Sequence, residues 1–114
     1  MAVQYSKEKY QEKILHELNH ILRCDVSDTR VQFVSVTAVE LNKDFSVAKV
    51  YWDTFNPAKR GDCKKAIEGM RGHLRTLLSQ NMKLRHTPVL NFFYNSQFED
   101  QKRIEDLLKQ KLDE

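Results

Sequence analysis

Between Val31 and Phe55 the chain carries two runs of alternating side-chain character separated by a short polar turn, and this pattern constrains the fold more than any other feature. The first run, Val31 to Leu41, is rich in β-branched residues. It places Phe33, Ser35, Thr37, Val39 and Leu41 on one face and Val34, Val36 and Ala38 on the other, as a strand does. Asn42, Lys43 and Asp44 supply a turn. Phe45 to Phe55 then resumes the alternation, with Ala48, Val50 and Trp52 opposing Lys49, Tyr51 and Asp53, so the two runs predict a β-hairpin.

Segments of helical period lie on both sides of the hairpin. Ile14, Leu15, Leu18, Ile21 and Leu22 mark an amphipathic helix from about Ser6 to Arg23, after which Ser27, Asp28 and Thr29 favour a turn. Asn56 and Pro57 end the second strand. A helix beginning near Asp62 places Cys63, Ala66, Ile67 and Met70 on its apolar side. Beyond Gly69 and Gly72, a second helical pattern runs through Leu74, Leu77, Leu78 and Met82. Two glycines three residues apart predict a bend between these helices. Thr87 and Pro88 stop the second, and Val89 to Tyr94 reads as a third strand. A last helix, from about Phe98 to Leu112, has Ile104, Leu107 and Leu108 on one stripe and Glu99 and Asp100 in its first turn. The order helix, strand, strand, helix, helix, strand, helix predicts an α+β domain with helices packed on one face of a three-stranded sheet. With 114 residues and no linker or repeat, one domain spanning 1–114 is expected.

Charge is distributed unevenly. Lys59 to His86 holds eight lysines and arginines against only Asp62 and Glu68, whereas the whole chain nets +3. Such a segment can attract phosphates, although a solvated helix face would look similar in sequence. Cys24 and Cys63 are isolated, which points to neither a disulfide framework nor a zinc ribbon but to two reduced thiols. The first twelve residues are polar, and no stretch approaches the roughly 18 apolar residues of a membrane helix, so a soluble cytoplasmic protein is expected.

His16-Glu17-Leu18-Asn19-His20 is a literal H-E-x-x-H, the pattern that in metalloproteases supplies two zinc ligands and a general base. At about 100° per residue, however, His16 and His20 project opposite the stripe of Ile14, Leu18 and Ile21, toward solvent. Arg23 and Val26 also stand where the extended zincin motif needs glycine and histidine. Neither a metal site nor a zinc hydrolase is expected, and no other catalytic constellation appears.

Gly69-Met70-Arg71-Gly72 is a literal G-x-x-G between two helices. In KH domains such a loop brings backbone close to phosphates, which needs small residues; a simple helix terminator would look the same. Arg71 and Arg75 lie one helical turn apart, and Lys64 and Lys65 flank the bend. Lys64 could equally pair with Glu68 at i,i+4, and Lys83, Arg85 and His86 could serve a helix C-terminus. Trp52, Phe92, Phe93 and Tyr94 read as core before they read as stacking surfaces.

Taken together, Ser27 to Val31, Val34 to Leu41, Asp44, Ala48 to Tyr51, Leu74 to Leu78, Met82 to Arg85, Pro88 to Phe92 and Arg103-Ile104 follow one another as they do in ribosome-binding factor A, and the chain resembles that family from about Tyr10 to Leu108. The resemblance implies a type II KH-like fold and no catalysis or cofactor. It implies binding to 16S rRNA of the 30S subunit during late assembly, with roles in maturing the 5′ region of that RNA and in growth at low temperature. The family's usual Ala-x-Gly kink aligns with Met70-Arg71-Gly72, so methionine replaces the alanine, and Thr29 stands where the family usually has proline.

The expected RNA-binding residues are therefore Lys64, Lys65, Arg71, Gly72, Arg75, Lys83 and Arg85 on a monomer that needs no membrane and no small-molecule substrate. The rival reading is a protein-interaction adaptor that sets the same basic face against an acidic partner.

Overall fold

Ser6 starts the first helix by accepting a hydrogen bond from the Lys9 amide at 3.3 Å, which satisfies a donor that the helix itself leaves open. The computed structural model describes residues 6–95. Helix α1 spans Lys7–His20 and widens into a single π turn, Ile21–Asp25. Ile14, Leu18, Ile21 and Leu22 are buried along one stripe, as the periodicity predicts.

Strand β1 spans Val34–Leu41, shorter than its alternating pattern. Thr29–Phe33 instead forms a 3-10 turn, because the Asp28 carboxylate accepts from the Arg30 amide at 2.9 Å and pairs with its guanidinium at 2.7 Å. This local bonding competes with the ladder. The Arg30 hydrogen bonds hold the Asp28 carboxyl below its ordinary range.

Strand β2 spans Val47–Thr54 and pairs antiparallel with β1; strand β3, Val89–Tyr94, runs parallel to β2, giving the order β1-β2-β3. A bulge between Val36 and Ala38 shifts the register of β1. Strict alternation would put Val34 and Val39 on opposite faces; the bulge turns Val34, Val36, Val39 and Leu41 all inward. They meet Ala48, Val50 and Trp52 of β2, and α1, α2 and α3 cover this face.

Helix α1 also seals the outer edge of β1. Asn19 accepts from the Val36 amide at 2.8 Å and donates to the Val36 carbonyl at 3.1 Å, Gln11 accepts from the Leu41 amide at 2.8 Å, and Arg23 donates to the carbonyls of Val31 and Val34. Exposed strand edges template aggregation, and these side chains occupy the groups that would do so.

The hairpin turn is longer than the sequence suggests because Asn42 takes the Val47 amide onto its side-chain oxygen at 3.0 Å. Asp44 accepts from the Ser46 hydroxyl and amide, at 2.6 and 3.2 Å. Phe45 is left at φ 60°, a left-handed conformation unusual for an aromatic residue, with its ring stacked on Tyr10 at 5.6 Å and 8°. That conformation costs about 1–2 kcal/mol, and an aromatic pair contributes about 0.5–1.5 kcal/mol. The stack, together with the area the ring buries, offsets that strain.

A 3-10 turn, Pro57–Lys59, leads into helix α2, Arg60–Gly69, which begins before Asp62. The Cys63 thiol donates to the Arg30 carbonyl at 3.2 Å, tying α2 to the turn ahead of β1. Helix α3, Arg71–Met82, follows after Met70 alone. The bend is therefore made at Met70 (φ −97°, ψ 3°), while Gly69 and Gly72 are helical, have negative φ and would meet nothing if given a Cβ. Lys83 ends α3 at φ 54°, with the Leu84 amide bonded to the Ser79 carbonyl at 3.1 Å. The arrangement is that of a type II KH-like domain. The helix expected at 98–112 lies outside the described residues, and among those residues no helix is long and apolar enough to cross a membrane.

Candidate nucleic-acid interface

Helix α3 and the connection after it enclose an open groove of about 550 Å³. Gly72, Arg75, Thr76, Ser79 and Gln80 line it from α3, and Arg85, His86 and Thr87 line it from the connection to β3. Arg75 spans the two walls: its Nε and Nη2 donate to the Thr87 carbonyl at 3.2 and 2.7 Å. A guanidinium has five N–H donors in a fixed fork. Anchoring two of them on a backbone oxygen fixes the guanidinium and leaves three donors, in a groove that Arg85 also lines.

Of the seven residues expected from sequence, the structure thus brings Gly72, Arg75 and Arg85 together. Arg71 is exposed at the start of α3, and Lys65 is exposed on α2. Lys64 lines a separate recess of about 210 Å³ with Glu68, Trp52, Phe92, Phe93 and Tyr94. No ion pair joins Lys64 to Glu68, so the pairing weighed from their spacing does not form. Lys83 is the left-handed cap of α3 rather than a member of the groove.

The aromatics divide between the two faces of the sheet. Trp52 is buried with Tyr94 edge-on at 5.0 Å, and Phe92 packs against the core. Phe93 is 44% exposed on the opposite face, beside Tyr51 at 5.8 Å. Burial raises the Tyr51 hydroxyl pKa, and the neighbouring Glu40 adds to the effect.

His16 and His20 are exposed on α1, with His16 Nε2 3.7 Å from Glu12. Among the described residues no group of three or more metal-binding side chains converges. Both histidines line a larger open groove of about 910 Å³ between α1 and the end of α3, also walled by Tyr10, Lys13, Met82 and Leu84. Sequence reasoning missed this groove. Its signal was an aromatic residue inside the polar turn at Phe45, which stacks on Tyr10 at the groove's rim.

The chain is similar in sequence and in fold to known proteins. The sequence model of the family described as ribosome-binding factor A matches residues 6–108. The ribosome-binding factor A of Neisseria meningitidis is 34% identical over 93 residues, covering 82% of this chain and 76% of that protein. The crystal structure of ribosome-binding factor A from Thermus thermophilus superposes with a TM-score of 0.70 at 26% identity, over 79% of this chain and 97% of the other. A homology model of the Thermus thermophilus factor, fitted into the cryo-EM map of its complex with the 30S subunit, gives a TM-score of 0.61 at 25% identity, over 73% and 88%.

Proposed function

Because this chain belongs to the ribosome-binding factor A family, we propose that it is a ribosome-binding factor that docks on 16S rRNA of the small ribosomal subunit during late assembly and performs no chemistry. The observation carrying this reading is the match of the family across residues 6–108 together with a groove that sets Gly72, Arg75 and Arg85 around one opening. Phosphate oxygens suit that opening, since guanidinium groups bind them through paired N–H donors. Lys64, Lys65, Arg71 and Lys83 extend the positive surface beyond it. In this reading the protein acts as a monomer in the cytoplasm, promotes maturation of the 5′ region of 16S rRNA and supports growth in the cold.

Binding that rests on phosphates releases counterions and falls steeply as salt rises. The test is affinity for purified 30S subunits across a salt series, for the wild type and for Arg75→Glu with Arg85→Glu. Steep salt dependence in the wild type, and a large loss in the double variant, support the reading. Salt-independent binding, or an undiminished double variant, overturns the assignment of this surface. A strain lacking the gene should accumulate 16S precursors with extended 5′ ends at low temperature, and normal processing there would remove the maturation role.

A further inference from the structure

Helices α1, α2 and α3 close one face of the sheet, and among the described residues no helix covers the other. On that outward face the register sets Val47 beside Val89, Lys49 beside Asn91 and Tyr51 beside Phe93. Val89 and Phe93 are each 44% exposed, and the Phe93 ring lies 5.8 Å from Tyr51. Strand β3 carries no charged residue. Contiguous apolar surface of this kind marks a place where something else packs.

Nucleic acid is a poor occupant, because Lys49 is set against acid on this face. Its cross-strand neighbour Glu40 accepts from the Tyr51 hydroxyl at 3.3 Å, and Asp53 follows Tyr51 on the same side of β2. Asp53 is only 1% exposed, so the face is already closed at the end where the chain leaves the sheet. That exit is fixed: the Asn95 amide donates to the Trp52 carbonyl at 2.8 Å.

The chain that continues from this point has the complementary character. The sequence predicts a helix from about Phe98 to Leu112 with Ile104, Leu107 and Leu108 on one stripe. A helix of that length is marginal by itself in water and is held by the surface its stripe packs against. It would be about 22 Å long, and the six-residue strand β3 is about 20 Å long. Asn95 to Gln97 reach about 10 Å, enough to step from the strand to a layer packed on it. Tethering at the edge of the face gives the segment an effective concentration of about millimolar, which a separate partner must exceed.

We propose that residues 98–112 fold back as a helix over the outward face of β2 and β3, seating Ile104, Leu107 and Leu108 against Tyr51, Phe93 and Val89. The sheet is then covered on both sides. This contact does not depend on the RNA-binding reading above.

The test is NMR on the full chain with labelled methyl groups. Nuclear Overhauser contacts should join the Tyr51 and Phe93 rings to the methyls of Ile104, Leu107 and Leu108, and the amides within 98–112 should exchange at least tenfold more slowly than in an unstructured peptide. Leu107→Asp with Leu108→Asp should abolish both and shift the Phe93 and Tyr51 ring signals, while those of the buried Leu18 and Leu78 stay in place. Phe93→Ser should release the segment in the same way. If either variant fails to fold, the wild-type contacts alone decide. Absence of those contacts overturns the proposal, as does amide protection in 98–112 that survives both variants. Contacts seen only between differently labelled molecules give the face to a second copy, and a nucleotide cross-linked to Tyr51 or Phe93 in the complex with 30S subunits gives it to RNA; either result overturns the proposal too.

Discussion

The side chain of Arg75 is forked onto the carbonyl of Thr87, with hydrogen bonds of 3.2 and 2.7 Å that clamp helix α3 to the segment leading into β3. The residue therefore shapes one wall of the groove as well as charging it, and two substitutions separate these roles. Lysine keeps the charge without the planar fork. Arg75→Lys should speed amide exchange around Thr87 while leaving the salt dependence of 30S binding near the wild-type slope. Arg75→Ala should speed exchange equally and reduce that slope by about 1, the loss of one phosphate contact.

Gly72 is helical and its missing Cβ faces open space. Gly72→Ala should then stabilise the protein by about 0.5–1 kcal/mol, the ordinary helical preference for alanine, measured by urea denaturation. If RNA backbone approaches closely at this position, the same variant binds 30S subunits more weakly despite its greater stability. Equal or tighter binding would show that the glycine is not needed for contact.

Asn19 satisfies both the amide and the carbonyl of Val36. Asn19→Ala leaves two partly buried backbone groups without partners and should cost about 2 kcal/mol. It should appear as a lower denaturation midpoint at unchanged slope. Asn19→Asp keeps the acceptor and loses the donor, so its midpoint should fall between the two.

The Asp44 carboxyl is held below its ordinary range chiefly by the hydroxyl and amide of Ser46. A carboxyl whose pKa is depressed on folding stabilises the protein above its unfolded value, about 3.9, and loses that contribution as pH falls through the lower folded value. The hairpin turn should therefore be indifferent to pH near neutrality and loosen only under acid. Carbon-detected NMR titration of Asp44 should give a midpoint below that of a model peptide, and Ser46→Ala should move it upward.

Much of this fold was legible because its stripes are regular. Ile14, Leu18 and Ile21 repeat at helical spacing, and Ala48, Val50 and Trp52 alternate, and both sets are buried as their periods imply. The first strand was harder. The Asp28 to Arg30 bonding diverts Val31–Phe33 into a turn, and the bulge after Val36 reverses the phase of everything beyond it. Neither event leaves a mark in a pattern of period two. Gly69 and Gly72 advertised a bend, yet Met70 makes it, since a single residue near φ −97° suffices and needs no glycine. In the candidate site, the charges of Arg75 and Arg85 could be read from sequence. The carbonyl of Thr87 that orients Arg75 could not, because any residue there would offer the same oxygen. The stack of Phe45 on Tyr10 joins distant stretches of chain through a backbone angle that composition does not encode.

The seal that Gln11, Asn19 and Arg23 place along β1 gives the first helix a second duty beyond filling the core. A chain shortened from its front as far as Arg23 would lose hydrophobic cover and at the same moment bare a ladder of vacant amides and carbonyls on a strand rich in valine. Such a remnant would recruit further copies of itself edge to edge, so its fate is a precipitate rather than a weakened monomer.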